Sequence, residues 1–160
     1  LDYARSVGAS AVALCCNEDS AVTRVAEISI VPVVGPEILT GSTRLKSGTA
    51  QKLVLNMLTT GAMILIGKTY GNLMVDVQVG SEKLRDRARR ILCIVAGTDA
   101  DEAEKVLKRA HWNVKAAIVM QKTGLSYPKA LARLRRAQDR IREAIGEDIE
   151  PRLRALIEGQ

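Results

Sequence analysis

Two hydrophobic rhythms divide this chain. In the first part, Ala11–Cys16 and Ile28–Val34 are short, predominantly apolar runs separated by turn and helix signals. Apolar runs of that length, alternating with helical turns, predict strands of a parallel sheet covered on both faces. Asp2–Val7 reads as the tail of a helix stopped by Gly8, Asn17–Ser20 as a turn, and Ala21–Ala26 as a helical turn. Two strands are too few for such a sheet, which needs three or more and usually has about five. The chain is therefore expected to begin inside a domain whose first half lies upstream.

From about Thr49 to Ile66, Leu53, Val54, Leu55, Met57, Leu58, Met63, Ile64 and Leu65 fall on nearly every side of one helix. A helix apolar all round is expected to be buried or to lie in a subunit interface. Tyr70–Val79 reads as a short extended or irregular segment. Ser81 then opens a helix with Leu84, Ala88, Ile91, Leu92 and Val95 on one face, ended by Gly97. Past Gly97 three short helices are predicted, with brief turns between them. Asp99–Ala110 carries Ala103, Val106, Leu107 and Ala110, and Asn113 caps a second helix with Val114, Ala117 and Ile118. Gly124 stops the second, and Ser126 with Pro128 opens a third bearing Leu131, Leu134, Ile141 and Ile145. The domains expected are residues 1–97, a helical bundle over 98–146, and a polar final helix or tail over 147–160.

Composition narrows the function classes. Apolar residues make up 47% and charged residues 26% of 160, the balance of a globular protein. There is no Phe, one Trp and three Tyr, so the core must be built from Ala, Val, Leu, Ile and Met. That scarcity argues against nucleic-acid modules that stack bases on aromatic rings. The net charge of +6 is concentrated in Lys83–Arg90 and Lys129–Arg142, which read as solvated helix faces with no nucleic-acid role. Cys15, Cys16 and Cys93 have neither disulfide nor metal spacing and read as inert thiols of a reducing compartment. The apolar run near residues 53–66 is too short and polar to span a bilayer, no signal peptide is visible, and the expected location is cytoplasmic.

Residues 35–60 hold the candidate chemistry. Gly35, Gly41 and Gly48 allow tight turns and close backbone approach to a ligand. Thr40, Ser42, Thr43, Ser47 and Thr49 offer hydroxyl donors, Arg44 and Lys46 positive charge, and the stretch enters a helix whose first N–H groups favour an anion. A phosphorylated or carboxylated small polar molecule suits this arrangement; so does a capped loop with no ligand.

The sequence GPEILTGSTRLKSGTAQKLVLNMLTTGAMI, then GKTYGNLMVDVQ and SEKLRDRARRI, resembles the N-acetylmuramic acid 6-phosphate etherases. HWNVKAAIVMQKTGLSYPKALARLRRAQDRIREAI is similar to that family's C-terminal, ubiquitin-associated-like three-helix unit. The resemblance implies an α/β fold, the second half of a doubly wound sugar isomerase domain followed by the bundle. It implies cleavage of the lactyl ether of N-acetylmuramic acid 6-phosphate, giving N-acetylglucosamine 6-phosphate and D-lactate in cell-wall recycling. It implies a homodimer, with no metal or redox cofactor and no membrane partner. In such chemistry one carboxylate removes the C2 proton of the ring-opened sugar and a second acid protonates the departing lactate oxygen, before water adds to the alkene. The family's glutamates and its phosphate-gripping serine loop are expected upstream of residue 1, so no catalytic residue is assigned here.

The resemblance places Glu37, Thr40, Ser42, Thr43, Arg44 and Lys46 at the sugar site. For Glu37 two readings stand, contact with a sugar hydroxyl or neighbouring subunit, and capping of the turn that follows. For Arg44 and Lys46 the alternative is a salt bridge across the dimer. Asn72 and Asp76 read as turn and backbone hydrogen-bonding residues, and His111, beside Trp112, as packing. Two rival functions remain: a phosphosugar-sensing regulator similar to the glucokinase regulatory proteins, and a protein-interaction module built on residues 99–146.

Overall fold

The computed structural model describes residues 1–147. Apart from Glu147, the polar final helix expected over 147–160 lies outside the described residues. The fold is mixed α/β and mostly helical, with one small parallel sheet. The chain forms two compact units, Leu1–Gly61 and Ala62–Gln160.

In the first unit, α1 (Asp2–Ser6) precedes β1 (Val12–Leu14), α2 (Ala21–Val25) and β2 (Ile28–Ile30). Val12, Ala13 and Leu14 pair in parallel with Ile28, Ser29 and Ile30. Ser20 caps the intervening helix by accepting a hydrogen bond from the Thr23 N–H at 3.4 Å. Each strand is shorter than its apolar run. The ladder ends one bond later, where the Cys15 N–H reaches the Ile30 carbonyl at 3.2 Å. Pro32, which has no N–H to donate, stands just beyond it.

The helix expected at Thr49 starts earlier, as α3 (Lys46–Leu65), and its exposure corrects the first of its two expected settings, burial within the chain. None of its residues is buried: Leu53 is 55%, Met57 65% and Leu65 75% exposed. Two strands of three residues offer no surface able to cover a helix of this length.

In the second unit a hairpin of β3 (Thr69–Tyr70) and β4 (Leu73–Met74) occupies the segment expected to be extended. Helices α4 (Glu82–Ala96), α5 (Ala100–Arg109), α6 (Val114–Thr123), α7 (Tyr127–Arg136) and α8 (Ile141–Ile145) follow. The cap signals act as their chemistry requires. Asp99 Oδ1 accepts from the Glu102 N–H at 2.8 Å, Asn113 Oδ1 from the Ala116 N–H at 2.9 Å, and Gly97 and Gly124 end their helices in the left-handed conformation. Ser81 makes no side-chain cap bond.

Helix α4 packs on α5 and α6, so the compact unit begins well before residue 97. Arg89 reinforces the α4–α5 contact, binding Glu104 at 2.7 Å while also holding Glu82 and Asp86. The core is aliphatic and rich in alanine: Ala88, Leu92, Ala103, Val106, Leu107, Ala116, Ala117, Ile118 and Ala130 are fully buried. Small side chains let the helix backbones approach closely, which compensates for the lack of aromatic bulk.

A second correction concerns the third bundle helix, expected to run unbroken from Ser126 to Ile145. It is two helices, α7 and α8, because Gln138 and Asp139 adopt φ of 50° and 60° and turn the chain. The turn is held from two sides. Buried Lys115 donates from Nζ to the Asp139 carbonyl at 3.2 Å, and Gly67, at φ 73°, lies against the same carbonyl.

A Cβ at Gly67 would stand 2.7 Å from the Asp139 oxygen, whereas one at Gly71 (φ 59°) would meet nothing within 4 Å. Both Gly→Ala changes pay the left-handed penalty of about 1–2 kcal/mol, and Gly67→Ala adds a clash of about 1–3 kcal/mol. Urea denaturation should therefore show the larger loss for Gly67→Ala. Equal losses would mean that the Asp139 turn does not bear on Gly67.

Candidate functional site

The candidate loop follows β2 directly and enters α3 at Lys46. Two bonds fix the start of that helix beside the carboxyl end of β1. Gln51 Nε2 donates to the Leu14 carbonyl at 3.4 Å, and Cys16 Sγ reaches the Ser47 carbonyl at 3.8 Å. The loop thus sits at the carboxyl ends of parallel strands, where open α/β sheets bind small ligands.

Within the loop, Glu37 plays the capping role of its two readings. Its Oε2 accepts from the Lys46 N–H at 2.8 Å and its Oε1 from the Ser47 N–H at 3.0 Å, so one carboxylate satisfies two free donors of the α3 N-terminus. The bond from Ser47, then that from Lys46, lowers the Glu37 pKa below its ordinary value of 4.5. Lys46, though exposed, is tied to the loop, Nζ donating to the Pro36 carbonyl at 3.0 Å. Gly48 N–H bonds the Thr43 carbonyl at 2.8 Å and Thr49 Oγ1 the Leu45 carbonyl at 2.6 Å, closing the turn.

The other candidate residues face outward. Thr40, Thr43 and Arg44 are exposed and Ser42 half-buried, and none of their side chains has a hydrogen-bond or ion-pair partner among the described residues. The structure therefore gathers all six residues in one loop but divides them. Glu37 and Lys46 fasten it, while Thr40, Ser42, Thr43 and Arg44 present free donors. Beside the loop, Val34, Leu45, Lys46, Thr49, Ala50 and Leu53 line an open, mainly apolar hollow of about 590 Å³.

The other singled-out residues lie in the second unit. Asp76 accepts from Lys68 Nζ at 2.6 Å; this bond, then burial, then the charge of Lys115 set its pKa, with a net lowering. Asn72 lies in the β3–β4 turn and the Asp76 N–H bonds the Lys68 carbonyl at 3.4 Å, as expected; the ion pair of the Asp76 side chain comes in addition. The His111 ring packs on Tyr127 with centroids 4.9 Å apart, in line with a packing role. Among the described residues no three His, Cys, Asp or Glu side chains gather as metal ligands, and no helix is long and apolar enough to cross a membrane. Sequence reasoning missed Cys16 and Gln51 as anchors of the loop. Neither carries a local signal, because each acts across more than thirty residues on a backbone carbonyl.

An α/β unit with an anion-suited loop at the carboxyl ends of its parallel strands is the class these features define. Comparison with known proteins finds relatives of one kind among those most similar. The chain is 54% identical over 154 residues to the N-acetylmuramic acid 6-phosphate etherase of Alkaliphilus metalliredigens, covering 93% of this chain and 50% of that one. It is 57% identical over 145 residues to the same-named protein of Brucella anthropi, covering 91% and 47%. It is 53% identical over 150 residues to N-acetylmuramic acid 6-phosphate etherase 2 of Vibrio cholerae, covering 94% and 49%. No family model matches the chain. By homology at this level the chain is related to the N-acetylmuramic acid 6-phosphate etherase family, as its motifs imply, and it spans about half the length of the curated relatives it matches.

The Glu37 clamp has a pH signature. A carboxylate whose folded pKa lies below its unfolded value contributes stability above the unfolded value, lost as pH falls through the folded one. Loss should therefore begin near pH 4.5 and deepen below it. Asp76 and Glu104, also lowered, add to the acid slope, so Glu37→Gln should flatten the fall in unfolding midpoint without abolishing it. Identical acid profiles for the two proteins would remove Glu37 from the clamp.

Proposed function

We propose that this chain is the phosphosugar-holding second half of an etherase that cleaves the D-lactyl ether of N-acetylmuramic acid 6-phosphate. The reaction releases N-acetylglucosamine 6-phosphate and D-lactate during cytoplasmic recycling of cell-wall sugar. The observation that carries this reading is the conjunction of etherase homology with the loop at residues 37–46, whose Thr40, Ser42, Thr43 and Arg44 stand free for a ligand. On this reading residues 1–97 are the second half of a doubly wound sugar isomerase domain, and residues 98–146 its ubiquitin-associated-like bundle.

The loop's own chemistry supports binding over bond breaking. Ether elimination needs one carboxylate to take a proton and a second, protonated acid to give one. Glu37 is the only carboxylate between residues 35 and 60. Its oxygens are committed to two N–H donors, and its lowered pKa keeps it ionised at neutral pH. It holds the loop and does not supply acid catalysis.

The exposed apolar residues of α3 away from the hollow supply the surface of a homodimer, with Leu55, Met57 and Leu58 its central contacts. A second reading, the phosphosugar sensor, rests on the same loop and differs only in turnover by the whole protein.

Calorimetry with N-acetylmuramic acid 6-phosphate, alongside a coupled D-lactate assay, tests the proposal on this chain. Binding without detectable lactate release is the expected result. Absence of binding would contradict the site, and rapid lactate release would contradict the confinement of residues 35–60 to holding substrate.

A further inference from the structure

The etherase substrate carries two anionic groups, the phosphate on C6 and the carboxylate of the lactyl ether on C3. The candidate loop carries two cations, Arg44 and Lys46, and the structure gives them different tasks. Lys46 Nζ is bonded to the Pro36 carbonyl at 3.0 Å, inside the loop. Arg44, two residues earlier, is exposed, and its guanidinium has no partner among the described residues. Glu37, the acid that would otherwise pair with it, is held by the N–H groups of Lys46 and Ser47. The loop therefore keeps its nearest carboxylate occupied and leaves one planar, permanently charged fork open.

We propose that Arg44 receives the lactyl carboxylate and so distinguishes the substrate from its phosphosugar product; the assignment rests on the etherase reading of this site. A guanidinium meets a carboxylate through two parallel N–H···O bonds, a geometry that a lysine cannot reproduce. Leu45, next in the chain, lines an apolar hollow with Val34, Ala50 and Leu53, which offers a wall for the lactyl methyl. Thr40, Ser42 and Thr43 carry hydroxyls that have no partner among the described residues and are free to meet the sugar. Discrimination follows from the carboxylate alone: the product lacks it, so the exposed guanidinium stays in water and adds nothing to the binding of that sugar.

Affinities of the chain for three ligands provide the test: N-acetylmuramic acid 6-phosphate, N-acetylglucosamine 6-phosphate, and N-acetylmuramic acid without phosphate. Arg44→Gln should weaken binding of both lactyl-bearing sugars by about ten- to a hundredfold and leave N-acetylglucosamine 6-phosphate unchanged. Arg44→Lys should recover only part of the loss. Lys52→Gln, which removes one exposed charge from the adjoining helix, should change none of the three, and thermal unfolding should confirm that every variant is folded. Weakened binding of N-acetylglucosamine 6-phosphate in Arg44→Gln would overturn the assignment and give the cation to the phosphate. Unchanged binding of all three would make Arg44 a solvated surface residue. If the unsubstituted chain binds none of them, the etherase reading of the loop falls, and this assignment with it.

Discussion

Two hydrogen bonds to one carboxylate organise the candidate site. With both Glu37 oxygens on the Lys46 and Ser47 N–H groups, a ten-residue stretch closes back on the N-terminus of α3. That closure fixes Lys46 against Pro36 and turns Arg44 and the loop hydroxyls outward. The carboxylate also complements the positive end of the helix dipole, so one side chain satisfies donors and neutralises charge together. Without it, the four free donors would sit on a loop rich in glycine and hydroxyl residues and of no fixed shape.

The second unit is governed by a different constraint, the scarcity of aromatic side chains. Helices packed through Ala88, Ala103, Ala116, Ala117 and Ala130 approach closely enough to bury Leu92, Leu107 and Ile118 completely. Close packing leaves little tolerance at the turns, and the Gly67–Asp139–Lys115 contact is where that shows: two left-handed residues and one glycine meet around a single carbonyl. Trp112, the one large ring, packs at the edge of this core and carries the Arg85 guanidinium 5.2 Å over its face.

The sequence pattern revealed the helices and their caps because those signals are local. Asp99, Asn113, Gly97 and Gly124 each act within four residues of themselves. The loop's position was also legible, since glycine, hydroxyl and basic residues cluster there without interruption. Non-local features were not legible. The division of α7 from α8 depends on Lys115 and Gly67, distant in sequence, reaching the Asp139 carbonyl. The exposure of α3 escaped periodicity as well: an all-round apolar helix announces that something covers it, not whether the cover belongs to the same chain. Glu37 stood between ligand contact and capping because its chemistry permits both, and only the position of the Lys46 and Ser47 N–H groups separates them.

On the proposed reading the Glu37-clamped loop, and no other surface among the described residues, holds the amino-sugar phosphate. Titration of isotopically labelled chain with N-acetylmuramic acid 6-phosphate, followed through backbone amide chemical shifts, is the direct test. Saturable shifts concentrated at Thr40, Ser42, Thr43 and Arg44 are expected, with the core amides of α5 and α6 unmoved. Shifts centred on the helical bundle, or none at millimolar sugar, would contradict it.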